Sequence, residues 1–278
     1  MPAVHCHEIV MQLSQSIGAS RLSHCTGVPM STADETERHR MTEHTVRAFT
    51  EQLEQLSASV AQMGGLAEAQ LADAIEAIAR RDTALAESAV GGDKRIDDLQ
   101  HEVEDRALKL LALRQPMAGD LRETLAAIKI ASELERIGDL AKNIAKRAIV
   151  LNREQPIRLT QSLARMGRAT LSQLKLVLDS YSDRDEEEAK TVWSQDGDID
   201  EIYNSLFREL LTYMMEDPRT IGMCTHLLFV AKNIERTGDH ATNIAEVVYH
   251  MVSGDHLTSE RPKADTTSET SVPFEGKR

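Results

Sequence analysis

The sequence has few aromatic residues, prolines and cysteines, and each scarcity excludes a class of protein. Aromatic residues make up 3% of the 278 residues, whereas the strands of β-sheets concentrate aromatic and β-branched residues. Only seven prolines interrupt the chain, so long helices can form. The three cysteines, Cys6, Cys25 and Cys224, are too few and too scattered for a disulfide framework. The composition therefore predicts an all-α protein in a reducing compartment.

Positive charge and long apolar runs are also lacking. The net charge of -13 repels a phosphate backbone, so we expect no nucleic-acid partner. No apolar run approaches the roughly 20 residues that span a bilayer, and the N-terminus lacks the apolar core of a secretion signal. The sequence contains no GxxxxGK[ST], GxSxG, HExxH or strand-linked GxGxxG motif. We expect a cytoplasmic protein that is not an enzyme.

Glycine, proline and polar turn residues divide the chain into six helical stretches. These run over about 41–80, 82–114, 118–152, 156–180, 185–216 and 218–253, with glycine pairs expected to interrupt the first and loosen the second. Asp217-Pro218 is typical of a helix N-terminus and Gly254 of a C-terminal cap. Residues 255–278 lack periodicity and predict a disordered tail.

Residues 1–40 show no sustained helical period, so we expect a mobile tail or an extension that is foreign to the native protein. In the second case Met41 is the true start. This stretch contains VHCHE and SHC, whose His5, Cys6, His7, His24 and Cys25 could bind a soft metal. A second closely spaced ligand pair is missing, so an unstructured segment is the simpler interpretation.

One motif occurs twice, as ERIGDLAKNIA at 135–145 and ERTGDHATNIA at 235–245. Eight of the eleven positions carry the same residue, and each copy lies in the third of three helical stretches. A period of about a hundred residues is too long for a solenoid repeat and suits a three-helix bundle. The sequence therefore predicts two tandem three-helix bundles, at 41–152 and 153–254.

The helical period places the motif carboxylates away from the bundle core. Glu135 and Asp139 lie nearly opposite the apolar seam of their helix, so we expect them on the surface. Gly138 and Gly238 each cost a helix about 1 kcal/mol relative to alanine, so their recurrence indicates close approach of a neighbouring helix. The two predicted seams are Ile130, Leu134, Ile137, Ala141, Ile144, Ala148 and Leu151, and Val230, Ile234, Thr237, Ala241, Ile244, Val248 and Met251.

The preceding helix of each bundle carries a second pair of acids, in DKRID at 93–97 and DGDID at 196–200. Each bundle can therefore bring together four carboxylates. We call Asp93, Asp97, Glu135 and Asp139 the first quartet, and Asp196, Asp200, Glu235 and Asp239 the second quartet.

Carboxylates four residues apart repel one another, so a quartet needs compensation. In the first quartet Lys142 and Lys146 can supply it, so an exposed salt-bridged face is one interpretation. Their equivalents in the second bundle are Thr242 and Glu246, which leaves Lys232 as the nearest cation. A bound metal ion is the alternative, and oxygen ligands suit hard cations. The second quartet is where we expect metal first.

Two histidines near the second motif, His226 and His240, do not have the spacing of metal ligands. A ferritin-like oxidase uses Glu-x-x-His pairs, and neither motif contains one. We interpret both histidines as packing or surface residues.

The doubled ERxGDxAxNIA motif and the paired aspartates before it resemble the PhoU family of phosphate-signalling regulators, over about residues 41–253. The resemblance implies two symmetric three-helix bundles that form a homodimer. It also implies that the eight quartet carboxylates bind metal ions, for which iron, zinc, manganese and magnesium are the candidates.

The same resemblance implies a function. Members are negative regulators of the phosphate-starvation response, the Pho regulon, and of high-affinity phosphate uptake. They act between the ATPase subunit of the Pst phosphate ABC transporter and a sensor histidine kinase, so the protein would reach the membrane only through these partners. The alternative is a metal-dependent enzyme that uses the carboxylate clusters, which would need an open coordination position and a nearby base.

Overall fold

The computed structural model describes residues 32–114, 117–155, 159–258, 263–265 and 267, with the backbone alone at 32–46 and at Arg114. The chain divides into two units, 1–46 and 47–278. In the first unit the described residues, 32–46, are helical. The candidate Cys/His site at residues 5–25 lies outside the described residues. Apart from the first residues of the first helix, all features discussed below lie in the second unit.

The described residues are almost entirely helical and contain no β-strand, which confirms the predicted all-α fold. A short 3₁₀ turn, Pro218–Thr220, precedes the last helix. The α-helices in chain order are α1 (Thr32–Arg80), α2 (Thr83–Arg114), α3 (Ala118–Leu151), α4 (Thr160–Asp183), α5 (Glu186–Ser194), α6 (Asp196–Glu216) and α7 (Ile221–Ser253).

The helices differ from the sequence prediction in where the first begins, in the effect of the glycine pairs and in the continuity of the fifth stretch. The first helix begins at Thr32 rather than at Met41, and the first glycine pair, Gly64-Gly65, does not interrupt it. The second helix also runs on through Gly91-Gly92. The fifth stretch is not one helix, because Gln195 separates α5 from α6. The Gln195 N–H donates to the Val192 carbonyl at 3.2 Å, a tighter turn than the α-helical one. The break allows α5 and α6 each to pack against α7.

Helix ends follow the chemistry of their capping residues. The Asp185 carboxylate accepts from the backbone N–H groups of Glu187 and Glu188 at the start of α5. Asp217 caps the 3₁₀ turn by accepting from the N–H of Arg219 at 3.0 Å. Gly254 ends α7 with a left-handed backbone at φ 82°. The two caps predicted from the sequence, at Asp217 and Gly254, are therefore confirmed.

The predicted seams form the core of each bundle. Every seam residue of α3 and α7 is buried. Helices α1, α2 and α3 make the first bundle, and α4, the α5–α6 pair and α7 make the second. Helices α3 and α7, which carry the motif, also pack against each other. The buried apolar residues of both bundles consequently form one continuous cluster.

The motif glycines allow two other helices to come close. A Cβ atom on Gly138 would lie 3.0 Å from Ile96 Cδ1 of α2 and 3.4 Å from the side-chain oxygen of Gln70 of α1. In the second bundle a Cβ on Gly238 would lie 3.0 Å from Ile199 Cδ1 and 3.2 Å from the side-chain oxygen of Gln173. The predicted close approach is therefore confirmed in both bundles.

We expect Gly138→Ala and Gly238→Ala each to lower the free energy of unfolding by about 1–2 kcal/mol, because overpacking outweighs the gain in helix propensity. Gly65→Ala is the matched control, since a Cβ there meets nothing within 4 Å. The control should gain up to about 1 kcal/mol. Urea unfolding measures all three, and equal stability of Gly138→Ala and Gly65→Ala would contradict the packing argument.

Candidate functional site

The first quartet lies between α2 and α3. Asp93 is buried, and its three partners are partly exposed. Burial raises the pKa of Glu135; Arg136 opposes this, whereas Asp139, Asp97 and Asp93 raise the pKa further. Glu135 therefore lies near enough to the other three carboxylates to be affected by their charges.

Basic side chains neutralise much of the first quartet. Lys142 is hydrogen-bonded to Asp93 and lies 3.6 Å from Asp139 Oδ1. Arg136 Nε lies 3.4 Å from Glu135 Oε2, and its Nη1 lies 3.9 Å from Asp139 Oδ2. Lys142 therefore pairs with Asp139 of its own helix, as the salt-bridge interpretation predicted. It also reaches across to Asp93 of α2.

The second quartet lies deeper, between α6 and α7. Asp196, Asp200 and Glu235 expose only 4%, 5% and 5% of their surface, and the Asp239 side chain exposes 26%. A surface position is therefore wrong for Asp196, Asp200 and Glu235, whereas Asp239 is partly exposed. The helical period predicts which way a side chain points. Here a neighbouring helix and a distant part of the chain, residues 263–265, cover the surface to which these side chains point.

Burial and repulsion act on the second quartet as well. Burial raises the pKa of Asp200, backbone hydrogen bonds from Ala264 and Asp265 oppose this, and Asp196 and Asp239 raise the pKa again. Burial likewise raises the pKa of Glu235 in spite of the nearby Lys232. Asp239 and Asp200 add to that rise, so Glu235 lies near both of these carboxylates.

Equivalent positions of the two motif helices hold the first aspartate of each quartet by different chemistry. Lys142 bonds Asp93 in the first bundle. Thr242, one hundred residues later, donates its hydroxyl to Asp196 Oδ1 at 2.8 Å and accepts from Gln173 Nε2 at 3.2 Å. A neutral hydroxyl thus replaces an ammonium, and the second quartet must find positive charge elsewhere.

Part of that charge comes from Lys232, as the sequence predicted. Its Nζ lies 2.9 Å from Glu235 Oε1 and 2.9 Å from Asp265 Oδ2. Further positive charge comes from Lys263, which together with Ala264 and Asp265 forms what we call the C-terminal segment. Lys263 Nζ lies 3.4 Å from Asp239 Oδ1.

Sequence reasoning missed the C-terminal segment, because its residues fall in the stretch 255–278 that we expected to be a disordered tail. The N–H groups of Ala264 and Asp265 donate to Asp200 Oδ2 at 2.9 Å and 3.1 Å. Asn204 Nδ2 donates to the Ala264 carbonyl at 2.6 Å. The only signal in the sequence is a lysine and an aspartate two residues apart, which is too common to predict a contact. Residues 268–278 lie outside the described part of the chain.

The donors of both quartets match a hard cation in type but not in their present arrangement. All eight are carboxylates, which magnesium, manganese and oxidised iron accept. Glu235 Oε2 is buried and accepts a hydrogen bond from no described residue, so it has capacity for a ligand. Within the described ranges, however, no three His, Cys, Asp or Glu residues are placed to hold a metal ion. The basic groups on the carboxylates would have to move first.

The two histidines near the second motif make packing contacts, as predicted. His240 Nδ1 lies 2.6 Å from Glu133 Oε2, and Asn243 Nδ2 donates to the same oxygen at 3.1 Å. Burial raises the pKa of Glu133, but these two hydrogen bonds outweigh it and the pKa is lowered overall. His226 Nδ1 lies 3.2 Å from Arg147 Nη1. Both contacts join α3 to α7.

Comparison with known proteins identifies the family. A family profile described as PhoU domain matches residues 60–148 and 163–248, and each matched segment contains one quartet. The chain belongs to the PhoU family. This confirms the resemblance that the doubled motif suggested.

Relatives of known name agree with this membership. The "Phosphate-specific transport system accessory protein PhoU homolog" of Caulobacter vibrioides (strain NA1000 / CB15N) is 58% identical over 230 residues, which are 82% of this chain and 100% of that protein. The crystal structure of PhoU from Pseudomonas aeruginosa has a TM-score of 0.73 and 36% identity, and the match covers 74% of this chain and 100% of that one. The phosphate transport system regulatory protein PhoU from Streptococcus pneumoniae has a TM-score of 0.70 and 29% identity, with 76% of this chain and 100% of that one covered.

No helix in the described part of this PhoU-family chain is long and apolar enough to cross a membrane.

We expect Lys232→Met to lower the free energy of unfolding in metal-free buffer by about 1–3 kcal/mol, because it leaves the buried Glu235 without its cation. The loss is smaller than for a fully buried pair, since the Lys232 side chain is 38% exposed. Adding Glu235→Gln should restore part of the loss. The exposed Lys190→Met is the control, expected to stay within about 0.5 kcal/mol of the native protein. Equal losses for Lys232→Met and Lys190→Met in urea unfolding would show that the pair contributes nothing.

Proposed function

We propose that this PhoU-family protein is a negative regulator of the phosphate-starvation response and of high-affinity phosphate uptake. In this proposal it is a metal-binding adaptor, without catalytic activity, between the ATPase subunit of a Pst-type phosphate transporter and a sensor histidine kinase. The observation that carries it is the pair of acidic quartets, each assembled at the same place within one of the two matched PhoU segments. The names of the relatives, accessory and regulatory proteins of phosphate transport, support the same role.

Protein contacts are the means by which an adaptor acts, and the surface supports such contacts. Leu108, Leu113, Met117, Leu121 and Leu125 are large apolar side chains exposed where α2 ends and α3 begins. Large exposed apolar side chains favour a protein–protein contact at this end of the two helices. We place the protein in the cytoplasm as a homodimer, at the membrane only through its partners.

Metal binding is the second part of the proposal. Asp93, Asp97, Glu135 and Asp139 would hold one site, and the second quartet would hold the other. When bound, a cation would supply positive charge to carboxylates that now repel one another. Iron, zinc, manganese and magnesium remain the candidates, with the hard ions favoured by all-oxygen donors. Glu235 Oε2, which is buried and accepts no hydrogen bond from a described residue, supports the second site.

Metal content tests this part directly. We expect protein purified without chelator to contain more metal per chain than the Asp139→Ala/Asp239→Ala variant, measured by elemental analysis. Asp98→Ala/Asp198→Ala is the matched control, because these exposed aspartates lie on α2 and α6 beside the quartets. The control should keep the native metal content. Equal metal in all three proteins would refute binding at the quartets.

Regulation is tested in cells that lack the gene. Without the protein, we expect phosphate-starvation genes to be expressed in phosphate-rich medium, and the native gene should restore their repression. A reporter fused to a starvation-induced promoter measures this. Unchanged reporter expression after deletion would count decisively against a regulatory role.

Partners and chemistry are tested separately. A pull-down from phosphate-replete cells should recover the transporter ATPase or the sensor kinase, and recovery of neither would contradict the adaptor role. Metal-loaded protein should show no turnover of phosphate esters, or of ferrous iron with oxygen. Reproducible turnover that Asp139→Ala/Asp239→Ala abolishes would instead support the enzyme alternative.

A further inference from the structure

The C-terminal segment fills the second quartet in the way that a ligand would. Asp200 Oδ2 accepts two consecutive backbone N–H groups, from Ala264 at 2.9 Å and Asp265 at 3.1 Å. Asn204 of α6 fixes the same stretch by donating to the Ala264 carbonyl. The segment therefore uses both backbone N–H donors and a backbone carbonyl acceptor in this contact, as an extended peptide does when a protein binds it.

The side chains of the segment complement the charges around the quartet. The Lys263 ammonium lies 3.4 Å from Asp239, and the Asp265 carboxylate lies 2.9 Å from Lys232. Asp265 is itself held in shape, since its Oδ1 accepts from the N–H and the hydroxyl of Thr267 at 2.9 Å and 2.7 Å. Positive and negative groups of the segment thus each meet an opposite charge.

These contacts use the oxygens that a cation would need. Asp200 Oδ2 already accepts two hydrogen bonds, and a cation bound to Asp239 would face the Lys263 ammonium at close range. Like charges at such a distance in a partly buried site repel strongly. The segment and a cation therefore compete for the second quartet.

We infer that residues 263–265 are a built-in competitor for the cation of the second quartet, so that a cation binds there only as the segment leaves. The inference rests on the metal-binding part of the proposed function. The group that occupies the second quartet is thus a segment of the same chain. Glu235 Oε2, buried without a described donor, is the oxygen that the segment leaves unsatisfied and a cation would take.

The first quartet has no such competitor among the described residues. Its basic partners, Lys142 and Arg136, lie on the motif helix itself. The two quartets of one chain should therefore respond differently to the same concentration of cation, and only the second should respond to changes in residues 263–265.

The test measures Mn²⁺ binding to the full-length chain by isothermal titration calorimetry. Asp139→Ala serves as the background, so that only the second quartet binds. Ala264→Pro removes the N–H that donates to Asp200, and Lys263→Ala removes the ammonium. If the segment covers the quartet in about nine of ten molecules, releasing it raises the apparent affinity about tenfold. Ala264→Gly, which keeps the N–H, and Lys190→Ala, an exposed lysine of α5, should bind as the background does.

A second readout follows the segment itself. Hydrogen exchange at Ala264 and Asp265 should be slow in the metal-free chain and should become fast when Mn²⁺ saturates the second quartet. The Ala264→Pro chain should exchange fast at Asp265 with or without Mn²⁺.

The outcomes distinguish failure of the competition from failure of metal binding itself. Equal Mn²⁺ affinity in the Ala264→Pro, Lys263→Ala and background chains, or slow exchange that persists at saturation, would overturn the competition while leaving metal binding intact. Absence of Mn²⁺ binding in every variant, and in the chain with both quartets unaltered, would overturn metal binding and the competition together.

Discussion

Close approach of two helices at a single glycine is the contact on which each acidic quartet depends. Ile96 packs directly against Gly138, so close that a Cβ there would lie only 3.0 Å from its Cδ1, and Ile199 packs in the same way against Gly238. Each isoleucine is followed directly by the second aspartate of its helix. The apolar contact therefore determines how near the carboxylates of two helices come, and it holds them together although they repel one another.

Repulsion of this kind costs free energy that something must offset, and the two bundles solve the problem differently. In the first, Lys142 of the motif helix reaches the buried Asp93. In the second, Thr242 stands at the equivalent position and supplies only a hydroxyl. Positive charge then comes from Lys232 and from Lys263, which is far away along the chain. Among the described residues, compensation thus comes from the motif helix alone in the first bundle, and from the motif helix together with Lys263 in the second.

Much of this architecture follows from the sequence because it depends on local periodicity. The four-three spacing identified both seams, and every residue predicted for them is buried. The repeated glycine indicated a close helix contact, and the acids of DKRID and DGDID were placed beside it. These features depend on which way a side chain points from its helix, and the period of 3.6 residues gives that direction.

The features that escaped prediction depend on contacts between distant residues. The break at Gln195 arises where α5 and α6 both pack on α7, whereas the local sequence there permits a continuous helix. The depth of Asp196 and Asp200 depends on how closely α7 approaches, which a helical wheel does not contain. The C-terminal segment reaches Asp200 from 64 residues away. Short polar stretches without a period carry no signal for such a contact.

The position of α7 connects the second quartet to the rest of the protein. This helix carries Glu235 and Asp239 on one side, and through His240 and Asn243 it holds Glu133 of α3 on another. Helix α3 in turn carries half of the first quartet. Exchange of the C-terminal segment for a cation would change the charge next to α7. Helix α7 belongs to the second bundle and also packs against α3 of the first. A single acidic cluster on an isolated bundle would have no such second contact. The difference between Lys142 in one copy and Thr242 in the other therefore gives two quartets that share a scaffold but, under the proposal, differ in what would have to leave before a cation could bind.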